Sequence, residues 1–220
     1  YALKICKSDN SYLRFYAWQY IYHLFGEEYI ESEILPYADA DFLIEINYHC
    51  KNINKEQMKY FMEKQYKISP TIQLQAHLIA LGSKKALSDY VDYIVEHKTI
   101  PEGESRYSDG VTRSVGSVCN PEFLPLLKTL LLTMFDKDFK DGEWNSLRGS
   151  LSAALINCSK SNFDATVELI LDCRPDVDSD ERNFRYCNFI ISDIQGVKKS
   201  QQDIPLNLTE VKQILTSLGV

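Results

Sequence analysis

No third of this sequence carries an excess of basic side chains, and that shortage bears on partners before any motif does. Lys and Arg total 24 against 31 Asp and Glu in 220 residues, a net charge of −7, with an isoelectric point near 5.2. Residues 1–68 hold 8 basic and 10 acidic side chains, residues 69–140 hold 8 and 9, and residues 141–220 hold 8 and 12. Nucleic-acid affinity is dominated by Lys and Arg that neutralise phosphates, and its footprint is a basic stripe or patch. Nucleic acid is therefore not the expected partner. Long apolar runs are missing too: the longest falls far short of the roughly 20 residues a membrane-spanning helix requires. The mean hydropathy is −0.27, so no membrane partner is expected either.

Cysteine and histidine are present without the spacings that bind metal. Cys6, Cys50, Cys119, Cys158, Cys173 and Cys187 never form a CxxC, and His23, His49, His77 and His97 form neither HxxxH nor HExxH. Cysteines spread this widely through helical stretches read as small buried hydrophobes in a reducing compartment, which makes the expected location cytoplasmic. GxxxxGK[ST], GxGxxG and GxSxG are all absent, so neither a phosphate-cradling turn nor a nucleophile elbow can be placed. The reading assigns no cofactor, no catalytic residue and no metal ligand. Tyr1 opens the chain without Met, basic n-region or apolar leader core, which raises the expectation of a segment excised from a longer polypeptide.

What is there is helical pattern. Apolar residues make up 45% and charged residues 25%, a globular composition, and the length suits a single α-helical domain spanning 1–220. Apolar periodicity and N-cap signals, such as Ser69-Pro70 and Asn120-Pro121, predict six helix pairs. These are 11–25 with 28–35, 40–50 with 54–67, 70–82 with 84–98, 109–119 with 121–135, 143–158 with 162–173, and 180–195 with 208–218. The helix at 12–25 is apolar nearly all round, so neighbours are expected to cover both its sides. Residues 1–68 form an irregular, aromatic-rich part with 10 of the 14 tyrosines, and 69–220 a more regular one. Most of those tyrosines are expected to pack between helices with their hydroxyls reaching water.

The second half repeats. Phe123, Leu127, Leu130 and Leu131 share one helical face, Phe163, Val167, Ile170 and Leu171 repeat those offsets 40 residues later, and Ala86, Tyr90, Tyr93 and Ile94 hold them 37 residues earlier. Gln75, Arg113, Arg148 and Arg185 mark the preceding helices at spacings of 38, 35 and 37. Two helices per unit at that period give a helix-pair solenoid, each pair burying its apolar face against the next.

Three segments carry a family resemblance. Ser8-Asp9-Asn10-Ser11-Tyr12-Leu13-Arg14, followed by Ala17, Leu24 and Gly26, resembles the first helix of a HEAT repeat. Ala76, Ala80 and Leu81-Gly82, with Ala86-Leu87 and Tyr90-Val91, resemble the turn and second helix of another. Asn145 through Gly149, with Ala153-Ala154-Leu155, is a weaker copy, while residues 27–68 fit poorly. The resemblance implies an all-α, HEAT-like solenoid of about five to six helix pairs. Its aromatic, Lys/Asn-rich, acidic character also resembles helical repeats appended to bacterial STAND/NACHT-type signalling ATPases, where such a region senses ligand.

Motifs that tempt a sharper reading fail on detail. Asp176, Asp178 and Asp180 open like a calcium loop, with Asp172 just before and Glu181 after. Glu181 occupies the sixth position where the turn needs Gly, and Cys187 the twelfth where a bidentate Glu is needed. Trp144 and Arg148 share one helix face and could stack a base, as in DNA-alkylation-repeat glycosylases, which the resemblance keeps as the alternative, enzymatic reading. Lys84-Lys85 and Lys198-Lys199 read as solvated doublets in turns.

The leading reading is a non-catalytic protein-recognition module, plausible as the sensor repeats of a larger signalling or defence protein. Its partner is another protein or another domain of the same polypeptide. In a helix-pair solenoid the connections between pairs line one edge. Here those loops place Glu102, Glu104, Arg106, Tyr107, Asp109, Asp138, Asp176, Asp178 and Asp180 together as an acidic partner-binding edge facing a basic surface.

Overall fold

The computed structural model describes residues 2–6, 8, 10–101, 110–139 and 141–202, and among these there are helices and turns but no strand. The elements are α1 (Ala2–Cys6), α2 (Ser11–Phe25), α3 (Glu27–Glu33), α4 (Ala40–His49), α5 (Lys55–Ile68), α6 (Ile72–Ala80), α7 (Lys84–His97), α8 (Val111–Val115), α9 (Leu124–Met134), α10 (Asp141–Ser159), α11 (Phe163–Cys173) and α12 (Glu181–Gln202). Short 3-10 turns cover Leu35–Tyr37 and Pro121–Phe123. The all-α expectation holds. The predicted helix at 208–218 lies outside the described residues.

Caps decide where these helices begin. Asn10, Asp39 and Asn54 accept hydrogen bonds from backbone N–H groups of the first turns of α2, α4 and α5, at 3.0–3.1 Å, each satisfying donors the helix cannot. One cap differs from expectation. Ser69 closes α5 instead of opening α6, and Thr71 takes the cap by accepting from the Leu74 N–H at 3.2 Å; a residue preceding proline is pushed out of the helical region. Asn120 caps as predicted, accepting from the Glu122 N–H at 3.0 Å, but the chain runs through a 3-10 turn before α9. Helix α8 is shorter than predicted and stops at Gly116, where a Cβ would stand 3.1 Å from the Arg113 carbonyl and 3.5 Å from Ala153. That residue lets the end of α8 approach α10 closely.

Helices adjacent in sequence pack on one another, and a second set of contacts skips one element. Helix α4 meets α6, α6 meets α8, α8 meets α10 and α10 meets α12, while α7 meets α9 and α9 meets α11. Polar bonds cross the same steps: Asn47 to His77 at 3.1 Å, Asn157 Nδ2–H to the Gly116 carbonyl at 3.0 Å, and the Tyr186 hydroxyl to the Arg148 carbonyl at 2.7 Å. The turn at Leu81-Gly82 joins the consecutive helices α6 and α7. Gly82 adopts φ +77, a left-handed conformation open to glycine, and Gln75 on α6 donates to the Ala86 carbonyl of α7 at 3.0 Å.

The core follows the predicted faces with one slip. Phe123, Leu127, Leu130, Leu131, Ala86, Tyr90, Ile94 and Ile170 are buried. On α11, however, Thr166, Leu169, Ile170 and Cys173 form the buried face, Phe163 and Val167 are only partly covered, and Leu171 is 43% exposed. The offsets copied from α9 therefore place the α11 face about one residue too far along. Phe163 is covered from outside, by the Lys198 ammonium 3.7 Å from its ring centre. Lys198 thus sits within α12 on an aromatic face and not in a solvated turn. The markers Gln75, Arg113, Arg148 and Arg185 do not share an environment either, since Gln75 is buried while Arg113 and Arg185 are exposed.

Candidate functional site

Of the predicted acidic edge, Glu102, Glu104, Arg106, Tyr107 and Asp109 lie outside the described residues. Asp138 is exposed and donates its backbone N–H to Asp136 at 3.0 Å. Asp136 pairs with Lys98 at 2.9 Å, and that hydrogen bond holds its carboxyl below the ordinary carboxylate range. Asp176 and Asp178 are exposed, whereas Asp180 is committed to the start of α12, accepting from the Asn183 N–H at 3.1 Å and its Nδ2 at 2.6 Å. Among the described residues no three His, Cys, Asp or Glu side chains converge in a way that could hold a metal ion.

A different surface emerges on α2. Trp18 and Ile21 bury one side of this helix, with the Trp18 Nε1–H donating to Glu45 of α4 at 2.6 Å, and Arg14 on the same side pairs with Asp39 at 2.5 Å. The opposite side is uncovered: Tyr12 is 68% exposed, Tyr16 54%, Tyr20 61% and Leu24 56%. These four follow one another at every fourth residue, so they form one stripe, and no charged side chain interrupts it. Tyr12 and Tyr16 rings meet edge to face, 5.0 Å apart. Both parts of the earlier reading are thus corrected. The helix is covered on one side only, and Tyr12, Tyr16, Tyr20, Tyr37, Tyr48 and Tyr60 stand exposed instead of packing between helices. A helix apolar all round shows no face preference in its sequence, so nothing distinguished the covered side from the open one.

A partly open cavity of about 580 Å³ lies between α5 and α7, lined by Glu63, Tyr66, Lys67, Pro70, Ser83, Lys85 and Asp89. Its polar groups are held in place. The Ser83 hydroxyl donates to Glu63 at 2.6 Å, and Lys85 makes an ion pair with Asp89, whose carboxylate lies near the Tyr66 hydroxyl. Burial and the Asp89 carboxylate push the Tyr66 hydroxyl up to about 12, so it stays a neutral donor. Tyr66 and Asp89 also line an adjoining hollow of about 370 Å³ with Ile72 and Tyr93. Glu63, Tyr66 and Asp89 were not singled out from sequence, because the cavity joins helices separated by all of α6. The i,i+4 pair Lys85–Asp89 was the only local signal, and such pairs are common on any solvated helix.

Most of the cysteines are buried. Cys6, Cys50, Cys158, Cys173 and Cys187 are buried, and burial pushes the thiols of Cys6, Cys50 and Cys158 up to about 11 and that of Cys187 to about 12. Cys119 is exposed, contrary to the uniform burial expected. The Arg148 guanidinium lies 4.4 Å above the Tyr186 ring; the Trp144 side chain lies outside those described. Comparison with known protein families, characterised proteins and solved structures finds no match to this chain.

Proposed function

We propose that this protein is a non-catalytic recognition module, built as a HEAT-like helix-pair solenoid and used as the sensor repeats of a larger signalling or defence protein. The alternating ladder of helix contacts from α4 to α12 supports the solenoid reading. The observation that carries recognition is the uncovered, charge-free stripe of Tyr12, Tyr16, Tyr20 and Leu24 on α2. Tyrosine supplies large contact area with a hydrogen-bonding tip, which is why it is enriched where proteins meet. The exposed carboxylates of Asp138, Asp176 and Asp178 suit a basic partner, steering its approach more than fixing its affinity.

The test compares the proteins retained by the wild-type chain with those retained by a Tyr12→Ser, Tyr16→Ser, Tyr20→Ser variant. The expected result is loss of a specific partner by the variant, with an unchanged far-ultraviolet circular dichroism spectrum and thermal midpoint. Retention of the same partners by both removes the α2 stripe as the recognition surface. Salt-dependent binding to random duplex DNA, in place of a protein partner, would favour the glycosylase-type alternative.

A further inference from the structure

We propose that the cavity between α5 and α7 binds a small organic cation, an amidinium, guanidinium or primary ammonium group carried on a flat apolar body. Its volume of about 580 Å³ falls within the range of roughly 300–1,000 Å³ that small-molecule sites occupy. The Tyr66 ring and Pro70 give it apolar walls, and Glu63 and Asp89 supply two carboxylates. Glu63 is already oriented by the Ser83 hydroxyl at 2.6 Å, while Asp89 carries Lys85 as an exposed, exchangeable counter-ion. Each has acceptor capacity left, since an ionised carboxylate offers about four lone-pair sites. Preorganised groups need no reordering when a ligand arrives, which is where binding free energy is otherwise lost.

Lys85 shows which chemistry the site takes. Its ammonium rests on Asp89, with Asp92 adding to the negative field, while its side chain remains 70% exposed. An exposed ion pair of this kind contributes little, so a ligand cation that also buries an apolar body against Tyr66 and Pro70 displaces it readily. Of the two lysines that line the cavity, Lys85 is already held by Asp89 and Lys67 is exposed, so an anionic ligand would depend on a well-hydrated Lys67 ammonium while Glu63 and Asp89 repel it. The adjoining hollow beyond Tyr66, with Ile72 and Tyr93, offers room for a larger apolar body.

Calorimetric titration of the full chain with benzamidine, benzamide and benzoate tests the proposal, because the three share size and flatness and differ in charge. Saturable binding of benzamidine at millimolar concentration is expected, with benzamide and benzoate weaker by about tenfold or more. Asp89→Asn should weaken benzamidine by about tenfold, and Lys85→Met, a change at an exposed site, should tighten it by removing the internal competitor. A capped Gly-Arg-Gly tripeptide distinguishes the sources: binding comparable to benzamidine assigns the cation to an arginine of a partner chain, and its failure beside benzamidine binding assigns a free small molecule. Absence of benzamidine binding, benzoate binding as tight as benzamidine, or unchanged benzamidine affinity in both variants overturns the proposal.

Discussion

The Tyr186 hydroxyl donates to the Arg148 backbone carbonyl at 2.7 Å, and the guanidinium of the same Arg148 lies 4.4 Å above the Tyr186 ring. One residue of α12 is therefore gripped by one residue of α10 at both its polar tip and its aromatic face. The Ser152 hydroxyl, 3.0 Å from the Tyr186 oxygen, closes the arrangement. Tyr186 is fully buried, and burial pushes its hydroxyl well above the ordinary tyrosine value.

Tyr186→Phe keeps the ring and deletes the hydroxyl, and it should cost about 1 kcal/mol in urea unfolding. Tyr186→Ala should cost about 3–5 kcal/mol, because it also leaves a cavity. The raised value in the folded state means that the neutral hydroxyl stabilises the fold fully below the unfolded tyrosine value of about 10 and that this contribution is lost as pH rises through the folded value. Wild type should therefore lose more stability than Tyr186→Phe between about pH 8 and pH 11. Parallel losses in the two proteins would remove Tyr186 as the source of the alkaline dependence.

The register of α11 makes a second prediction. Leu130 and Ile170 are buried completely, while Leu171 is 43% exposed. Leu130→Ala and Ile170→Ala should each cost about 2–5 kcal/mol, and Leu171→Ala about 0.5 kcal/mol or less. Equal losses at Ile170 and Leu171 would return the α11 face to the offsets copied from α9.

Those two helices also show how far the sequence could be read. Helix existence was legible wherever a short polar cap preceded an apolar period, as at Asn54 and Ser83, whose side chains accept from the first-turn N–H groups. The buried face of α9 was legible because its apolar residues recur regularly over a strongly apolar helix. The face of α11 was not, since Thr166 is buried with its hydroxyl bonded back to the Asn162 carbonyl at 2.7 Å. A satisfied hydroxyl counts as polar in a pattern and as core in the fold. The α2 stripe was hidden for the opposite reason, an excess of apolar positions. The α5–α7 cavity was illegible because its carboxylates meet only through tertiary packing across α6.

Thiol chemistry separates Cys119 from the others. It is the exposed cysteine, whereas Cys6, Cys50, Cys158 and Cys187 are buried with their thiols pushed up by desolvation. The thiolate is the reacting form, so a thiol reagent at neutral pH should modify Cys119 rapidly and the buried set only on unfolding. Cys119→Ser should abolish the fast phase measured with an aromatic disulfide reagent. A fast phase that survives the substitution would mean that one of the buried cysteines opens to solvent in the native state.

Asp39 joins two roles that substitution can separate. One carboxylate oxygen caps α4 by accepting from the Phe42 N–H at 3.0 Å, and the other accepts from Arg14 of α2 at 2.5 Å. Arg14 is only 14% exposed and also lies over the Phe42 ring, so its charge depends on Asp39 more than a surface cation would. Asn caps a helix about as well as Asp, and Asp39→Asn therefore removes the ion pair alone, at a cost of about 1 kcal/mol. Asp39→Ala removes the cap as well and should lose about 1 kcal/mol more. Because Arg14 fixes the covered side of α2, both variants should also weaken any partner bound to Tyr12, Tyr16 and Tyr20 on the open side. If urea unfolding gives the Asn and Ala variants the same stability, the cap contributes nothing measurable; if Asn matches wild type, the tie between α2 and α4 rests on Trp18 and Glu45 instead.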